Sequence, residues 1–489
     1  MKYVSTRGGD QRISSAEAIK KGIADNGGLF VPEYIPQLSV DGIIALAPLP
    51  YAERAAAILS LFLDDYDKEK LLAFCRDAYK EASFPGGAAP VADLYENGYM
   101  LELFHGPTCA FKDMALQIMP RLLSEALKMT GEEKTAFILV ATSGDTGKAA
   151  LEGYRDVDGV KIKVFYPSDG VSDIQKLQMS SQEGSNVSVQ AINGNFDDCQ
   201  NGVKKIFSDK ELNEKLYEAG YILTSANSIN WGRLAPQIVY YISAYLDLYN
   251  AGDIQKGEKI TFCVPTGNFG NILAGFIAAK MGLPVSRFIC ASNKNKVLTD
   301  FFETGVYDRN REFFKTVSPS MDILISSNLE RLLYFFSGPE KTREYMASLN
   351  RTGKYAVDAE TLSAICEYFD AGYTDEEGTA KRIKAAWDES GRLIDTHTAV
   401  ALDCAKRLGR PGEKVVTVST ASAYKFAADV VEALGGSVKY DRGTLSPLYS
   451  LSELTKTEIP APLASLAAKK IRFSGTVDKE EMPETLFED

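Results

Sequence analysis

The sequence has few histidines, no paired cysteines and no long apolar run. Only His105 and His397 occur among 489 residues, and they are not at the spacing of a metal-ligand pair. The seven cysteines are odd in number, scattered and without a C-x-x-C pair, which favours free thiols in a reducing compartment. The first residues lack an apolar signal core, and no run of about 18 apolar residues occurs. We therefore expect a cytoplasmic protein with no metal site and no membrane span.

Basic residues are also fewer than acidic ones. The chain has 54 basic and 66 acidic residues, for a net charge of −12 and an isoelectric point near 5.0. Nucleic acid or an anionic membrane would repel such a protein as a whole, so we expect neither partner. Any phosphate that it binds must be held by a local cluster of donors.

The pattern along the chain predicts two or three domains. Residues 1–95 contain amphipathic helical segments and are predicted to form a mainly helical N-terminal domain. Residues 96–440 are predicted to form an α/β core, with a smaller unit at about 130–235, because apolar β-rich runs alternate with helical ones. Residues 441–489 are predicted to be a C-terminal extension whose tail frays after Thr476. The β-rich runs are AFILVA, KIKVFYP, NVSVQAI, YILTSA, KITFCVP, SRFICAS and VVTVS.

Lys112 lies in FHGPTCAFKDMALQ, where apolar residues at helical spacing begin just after it. The N-terminus of a helix carries partial positive charge and disfavours a cation. Lys112 is therefore either an ordinary solvated lysine or an amine that works in its neutral form.

Three loops follow predicted strands, where ligand sites of parallel sheets lie. In PTGNFGN, glycines and a following helix favour a phosphate cradle over a simple turn, and the absence of G-x-G-x-x-G disfavours a nicotinamide cofactor. ATSGDTGKAA fails the P-loop pattern at Thr142 and Ala149, which leaves a site for a carboxylate or a simple helix cap. In NSINWGR, Arg233 either grips a second phosphate or forms a surface salt bridge. A reactive lysine beside anion cradles points to pyridoxal phosphate, an aldehyde cofactor.

These segments, taken in order with SPSMDILISSNLERLLY and DTHTAV, closely resemble threonine synthase of the longer, monomer-type branch. The opening segment RGGDQRISSAEAIKKGIADNGGLFVPEYIP is also similar to that family's first domain. The resemblance implies a pyridoxal phosphate enzyme built like the tryptophan synthase β chain. Two α/β units would hold the cofactor between them, and the protein would be a monomer.

The resemblance also implies a role for each matching residue. Lys112 would hold the cofactor through a Schiff base, Asp145 would lie near its ring hydroxyl, and Thr420 would meet its pyridine nitrogen. Main-chain amides of the loop from residue 267 to residue 271 would cradle the cofactor phosphate. The residues of this loop are Gly267, Asn268, Phe269, Gly270 and Asn271. Two further sets would bind the substrate: its carboxylate is assigned to Thr142, Ser143 and Thr146, and its phosphate to Asn227, Ser228 and Arg233.

Near Thr420 the chain departs from the family pattern. The family's stretch is similar to S-T-A-H-P-A-K-F, whereas residues 419–426 are STASAYKF, so Ser422 or Tyr424 is a candidate substitute for the missing histidine. Cys109 replaces a common leucine and is interpreted as a neutral packing change. His105 either orients the site or stabilises a turn. His397 is expected to pack at a helix start capped by Thr396 or Thr398.

The implied reaction converts O-phospho-L-homoserine and water to L-threonine and phosphate. One alternative is a phospholyase on the same scaffold, which would give 2-oxobutyrate, ammonia and phosphate. A second alternative is a cofactor-binding scaffold without catalytic activity.

Overall fold

A computed structural model describes residues 1–142, 144–168, 171–439 and 443–487. The strands are β1 Tyr3–Ser5, β2 Phe30–Pro32, β3 Val91–Tyr95, β4 Gly98–Glu102, β5 Thr135–Ala141, β6 Val160–Pro167, β7 Val187–Asn193, β8 Tyr221–Thr224, β9 Ile260–Pro265, β10 Val285–Ser292, β11 Val306–Asp308, β12 Lys354–Ala356, β13 Phe369–Tyr373, β14 Val415–Ser419 and β15 Thr476–Asp478. The helices are α1 Ser15–Lys21, α2 Val40–Ile44, α3 Tyr51–Leu59, α4 Lys68–Ala78, α5 Asp113–Leu116, α6 Met119–Met129, α7 Asp145–Tyr154, α8 Asp173–Ser180, α9 Phe196–Ser208, α10 Lys210–Glu218, α11 Trp231–Ala251, α12 Gly270–Met281, α13 Val297–Thr304, α14 Leu329–Thr352, α15 Ala359–Cys366, α16 Glu376–Ser390, α17 Thr396–Leu408, α18 Ala427–Ala433, α19 Ser446–Thr455 and α20 Ala461–Ala464.

Two larger sheets organise the core. One has the strand order β13-β10-β9-β14-β4-β3, parallel except for the antiparallel β3–β4 pair at its edge. The other is parallel throughout, in the order β15-β7-β6-β5-β8. The predicted α/β class with parallel sheets is therefore confirmed, and each of the seven β-rich runs contains a strand.

The smaller sheet shows why its strands are apolar on both faces. Successive side chains point to opposite faces of a strand. On β5, Phe137 and Leu139 pack with residues of α9 and α10, whereas Ile138 and Val140 join the main core with residues of α6 and α7. Helices therefore cover both faces, as expected for buried parallel strands.

The larger sheet follows the same rule. Phe262 and Val264 of β9 face the core that contains α11 and α12, and Cys263 faces α17 on the opposite side. The strands β5, β8, β9 and β14 end just before the loops that carry the candidate site residues. The fold thus brings the chemistry-bearing segments to the carboxyl ends of parallel strands.

The N-terminal segment is mainly helical and packs directly on the core. Its apolar side chains belong to the same buried cluster as α11 and the central strands. The Tyr3 hydroxyl donates to the Phe62 carbonyl at 2.8 Å within this segment. Arg54 of α3 reaches across to Asp247 of α11 at 2.6 Å. Among the described residues, no helix combines the length and hydrophobicity that a membrane crossing requires.

The expectation that the tail frays after Thr476 is wrong. β15 pairs with β7 at the edge of the smaller sheet, and Met482 and Leu486 are buried in that sheet's helical layer. Arg472 anchors the approach to β15 by donating to the Gln182 carbonyl at 2.7 Å. The tail contains polar residues because only one of its faces is buried, which composition alone does not reveal.

Candidate active site

Lys112 stands at the N-cap of the short helix α5, as its position in the sequence predicts. The segment before it is tied to the end of β14 by main-chain contacts. Phe111 N–H donates to the Thr420 carbonyl at 2.8 Å, and Ala110 pairs with Ala421 in an antiparallel bridge. The structure thus brings Lys112 next to Thr420, although the two residues are far apart in the sequence.

The Lys112 amine lies in a setting that favours its neutral form. Burial, the nearby Arg233 and Lys425 lower the pKa of Lys112 to about 8, while Asp145 acts in the opposite direction. Some side-chain surface of Lys112 remains accessible. The amine lies 4.5 Å from the centre of the Phe111 ring. A neutral amine is the nucleophilic form, so this lysine is chemically competent to attack an aldehyde.

The loop after β5 is organised by the Thr142 hydroxyl. Its oxygen accepts the N–H groups of Gly144 and Gly147, each at 2.9 Å. Gly144 has φ of +136°, a conformation that side chains disfavour, and a Cβ there would meet Gln175 at 2.4 Å. The Thr146 hydroxyl makes no hydrogen bond with a described residue. Ser143, assigned to the substrate carboxylate, lies outside the described residues.

Asp145 begins α7 and is buried with two donors on one oxygen. Lys425 Nζ lies 2.7 Å from Asp145 Oδ1, and Gln175 Nε2 donates to the same oxygen at 2.9 Å. Burial would raise the pKa of Asp145, but the opposing effects of Lys425 and Gln175 lower it below its ordinary value. Asp145 is therefore a carboxylate anion at neutral pH.

The first turn of α11 contributes a buried arginine, Arg233, which has no carboxylate partner among the described residues. Arg233 donates from Nη1 to the Ala226 carbonyl at 2.5 Å, and its Nε has no acceptor among the described residues. Burial lowers the pKa of Arg233 to about 10. Asn230 caps α11, and the Ser228 hydroxyl accepts a 3.4 Å hydrogen bond from Asn328. The Asn227 side chain has no partner in the described part of the chain.

The glycine loop after β9 leaves its amides free. Within the described residues, the N–H groups of Asn268, Phe269 and Gly270 donate to no acceptor. The carbonyls are held instead, because Ser326 Oγ donates to Gly267 O at 2.6 Å and Asn328 Nδ2 donates to Asn268 O at 3.1 Å. These amides precede α12, so the helix dipole adds to a site suited to an anion.

Three residues of this loop show how tightly it is packed. A Cβ on Gly267 would lie 2.7 Å from the Ser320 carbonyl oxygen, so only glycine fits without movement. The Asn271 side-chain oxygen accepts from Tyr240 and Tyr241 at 2.6 and 2.7 Å, whereas its amide nitrogen has no acceptor in the described structure. Phe269 adopts φ of +61° and is buried.

Thr420 is buried at the end of β14 beside a polar network. Its hydroxyl has no partner among the residues that the structure describes. Asp395 accepts the main-chain N–H groups of His397 and Thr398 and caps α17. The expectation that Thr396 or Thr398 provides this cap is therefore wrong, because a carboxylate one residue earlier accepts both amides. His397 Nδ1 contacts Asp395 at 2.9 Å, and Nε2 accepts the Ser320 N–H at 3.1 Å.

The altered stretch after Thr420 is used structurally. Ser422 Oγ accepts the Tyr424 N–H at 3.3 Å, and the Tyr424 hydroxyl donates to the Thr457 carbonyl at 2.9 Å. The Tyr424 hydroxyl is therefore hydrogen-bonded to the C-terminal segment. Cys109 is buried in an apolar cluster with a pKa raised to about 12 by burial, in keeping with a packing role. His105 contacts Glu102 at 2.8 Å and stacks on Phe104.

Three residues at the site are not predicted by the sequence pattern. Lys425 pairs with Asp145, and Gln175 of α8 donates to the same oxygen. Asn328 links Ser228 of one loop to Asn268 of another. Asn328 lies in a segment that resembles the family, and Lys425 lies in the stretch that departs from the family pattern. Burial would have identified them, since a buried polar residue requires a hydrogen-bond partner, but burial cannot be read from the sequence at these positions.

Three family models match the chain. The model described as threonine synthase N terminus matches residues 2–79, pyridoxal-phosphate dependent enzyme matches residues 98–421, and threonine synthase, C-terminal matches residues 398–484.

Known proteins resemble the chain over nearly its whole length. Threonine synthase from Pseudomonas aeruginosa is 38% identical over 96% of this chain and 97% of its own. Threonine synthase-like 1 from Pongo abelii is 40% identical over 88% of this chain, but the match spans only 60% of that longer protein. The crystal structure of pyridoxal-phosphate-bound threonine synthase from Brucella melitensis is 37% identical, with a TM-score of 0.88 over 99% of this chain and 98% of that one.

Proposed function

The chain belongs to the threonine synthase family of pyridoxal-phosphate-dependent enzymes, and we propose that it converts O-phospho-L-homoserine and water to L-threonine and phosphate. This reaction is the last step of threonine biosynthesis and makes the protein a carbon–oxygen lyase. One observation carries the proposal. The Lys112 amine, with its lowered pKa, lies near a buried Arg233 that has no carboxylate partner in the described structure. A buried cation without an anion favours an anionic ligand over a purely structural role.

Pyridoxal phosphate fits the residues present. The amides at residues 268–270 and the Thr420 hydroxyl have no partner among the described residues; the amides suit the cofactor phosphate, and the hydroxyl suits the ring nitrogen. Gly267 has no room for a side chain, so the loop backbone keeps the shape that exposes those amides. We infer that the five residues from Gly267 to Asn271, together with Lys112, Asp145 and Thr420, hold the cofactor.

When bound, pyridoxal phosphate supplies an electron sink for negative charge that develops on substrate carbons. The protein supplies the proton transfers. Once released from the cofactor, the Lys112 amine would remove one proton from the substrate Cα and one from Cβ, and would return protons to Cγ and Cα. Its lowered pKa places this amine near the range where it can both accept and donate a proton. Phosphate would leave from Cγ, and water would add its oxygen at Cβ while giving up a proton to the departing phosphate.

The substrate would be held at its two ends. Thr142, Ser143 and Thr146 would bind its carboxylate at the start of α7, where the helix dipole favours an anion. Asn227, Ser228 and Arg233 would bind its phosphate, and the planar guanidinium suits that group. The Thr142 oxygen already accepts two N–H groups, so its hydroxyl proton is what it can offer to a carboxylate.

The test is a product assay with the purified full-length protein, pyridoxal phosphate and O-phospho-L-homoserine. We expect threonine and phosphate in equal amounts. Lys112→Ala should remove the visible cofactor absorbance and lower turnover by about 10³-fold or more, because both imine formation and proton transfer are lost. Lys128→Ala, on the surface of the neighbouring helix α6, is the control and should behave as the wild type.

Other products would overturn the proposal. Release of 2-oxobutyrate and ammonia would identify a phospholyase. Cofactor binding without phosphate release would identify a scaffold. Colour and activity that persist in Lys112→Ala would show that another lysine carries the cofactor.

The domain limits and the cellular setting belong to the same proposal. We infer an N-terminal domain at 1–95, a core at 96–440 with a smaller unit at about 130–235, and an extension at 441–489. The first family model ends at residue 79 and the second begins at residue 98, which supports the first boundary; the second and third models overlap at residues 398–421, inside the inferred core. We also infer a cytoplasmic monomer, and the free state of all seven cysteines supports the cytoplasm.

A further inference from the structure

We propose that Lys425 is a positioning residue that holds Asp145 as an anion and ties the loop at residues 142–147 to the segment that carries Lys112. This inference rests on the proposed function, because Asp145 needs a fixed charge only if a cofactor binds beside Lys112. Lys425 itself would touch neither cofactor nor substrate.

Lys425 is fully buried and has two acceptors. Its Nζ lies 2.7 Å from Asp145 Oδ1 and donates to the Thr108 carbonyl at 2.9 Å. Asp145 follows β5 of the smaller sheet, and Lys425 follows β14 of the larger sheet. The ion pair therefore joins the ends of strands from the two sheets across the site.

Thr108 carries the connection on to the reactive lysine. Its N–H and hydroxyl each donate to the Asp113 carboxylate at 2.8 Å, and Asp113 directly follows Lys112. Thr108 and Lys425 are 317 residues apart in the chain. A shift of the Lys425 side chain would therefore disturb Asp145 and the turn that holds Lys112 together.

Asp145 is arranged to act on a bound group through one oxygen. Lys425 and Gln175 occupy Oδ1, while Oδ2 accepts no hydrogen bond from the described residues. The charged or titratable groups that act on Asp145 or share its surroundings are Lys425, Lys112, His397 and the Cys109 thiol. Among them only Lys425 forms an ion pair with it. Without Lys425, burial would drive the Asp145 carboxyl toward its protonated form.

The experiment measures pyridoxal phosphate affinity against pH in full-length wild type, Lys425→Met, Asp145→Asn and the double variant. Methionine matches the length of lysine without its charge or its donors. We expect the acid limb of binding to move up by at least about one pH unit in Lys425→Met, equivalent to about tenfold weaker binding at a pH on that limb. The same lysine substitution in the Asp145→Asn background should shift the limb far less, because no carboxylate remains to be held.

The double variant separates this role from others. Loss of a cation near Lys112 would also move the acid limb, but that effect would persist in the Asp145→Asn background. An equal shift in both backgrounds would therefore overturn the inference, as would a wild-type profile for Lys425→Met. If Lys425→Met does not fold, the double variant decides, since it buries no unpaired charge. Affinity within about threefold of Asp145→Asn supports the inference, and a loss beyond about tenfold contradicts it.

The proposed function fails separately. If the wild type does not bind pyridoxal phosphate through Lys112, the proposed function is wrong whatever Lys425 does. If the wild type binds and the Lys425 variants give the profiles that contradict the inference, only the positioning role is wrong.

Discussion

The loops after β5 and β9 share one topology and satisfy their backbone groups by different means. In the loop at residues 142–147, the Thr142 oxygen accepts two amides and Asp145 is paired with Lys425. In the loop at residues 267–271, the carbonyls are held from outside by Ser326 and Asn328. Its amides are left free within the described structure.

The difference lies in which backbone groups the protein satisfies internally. When a side chain satisfies the amides, the loop offers side-chain oxygens to its ligand. When neighbours hold the carbonyls, the loop offers its amides. We therefore expect ligand binding by the first loop to depend on the identity of its side chains. Ligand binding by the second loop should depend on the absence of a side chain at Gly267.

The largest effect should follow Gly267→Ala. The added Cβ would lie 2.7 Å from the Ser320 carbonyl oxygen. Because that oxygen belongs to the backbone and the Cβ is attached directly to the backbone, neither can rotate away, so the loop must move. We expect pyridoxal phosphate affinity to fall by about 100-fold, because the displaced amides would no longer point at the cofactor phosphate. Equilibrium binding measures this effect.

Gly270→Ala is the matched control for that prediction. A Cβ at residue 270 would come no closer than 3.4 Å to the neighbouring side chains, the nearest atom being Asn328 Nδ2. The loss of affinity there should be at least about tenfold smaller than for Gly267→Ala. Equal losses would show that the crowding at Gly267 does not set the shape of the loop.

Thr142→Val should lower stability by about 1–3 kcal/mol, because the Gly144 and Gly147 amides lose a buried acceptor. Valine keeps the shape of threonine, which isolates the hydroxyl. Urea midpoints of unfolding measure the effect, and Thr142→Ser should retain most of the stability. An unchanged midpoint for Thr142→Val would mean that other groups hold this loop.

The smallest effect should be the acid dependence that Gln175 contributes through Asp145. The pKa of Asp145 is lowered in the folded protein, so this stabilisation is present above the ordinary value of about 3.9 and is lost as pH falls through the folded value. Gln175→Leu should raise the folded pKa toward that ordinary value. Its melting temperature should lie below that of the wild type above pH about 5, and the gap should narrow in more acidic solution.

The capping role of Gln175 provides the internal control. Gln175 also completes a capping box with Ser172, and the loss of that interaction does not depend on pH. If the difference in melting temperature between wild type and Gln175→Leu stays constant from pH about 6 to pH about 3, only the helix cap was lost. A gap that narrows supports the hydrogen bond to Asp145 as a stabiliser of its anion.

The sequence predicted the parts of the fold that depend on local patterns. The apolar runs around Ile138 and Val264 predicted strands buried on both faces, and both are such strands. Lys112 was placed at a helix start, where it lies. The tail after Thr476 was misjudged because one buried face, made by Met482 and Leu486, does not stand out in a polar segment.

The candidate site divides in the same way. Spacing and resemblance identified the lysine, the three loops and Thr420, because each is a short contiguous segment that follows a strand. The environment of each group could not be obtained in this way. Whether Asp145 is ionised depends on Lys425, and whether His397 meets a threonine or an aspartate depends on the turn that precedes α17.

The sequence by itself determined which chemical groups this protein has and which of them lie in loops that follow strands, since both can be read from short-range periodicity and loop composition. Only the tertiary structure decided which charges are paired. It gave Asp145 a lysine from the segment that follows β14 of the larger sheet and left Arg233 without a carboxylate in the described structure. Burial makes such pairing decisive, because a charge removed from water must find a partner or shift its pKa, and the partner is chosen by folding.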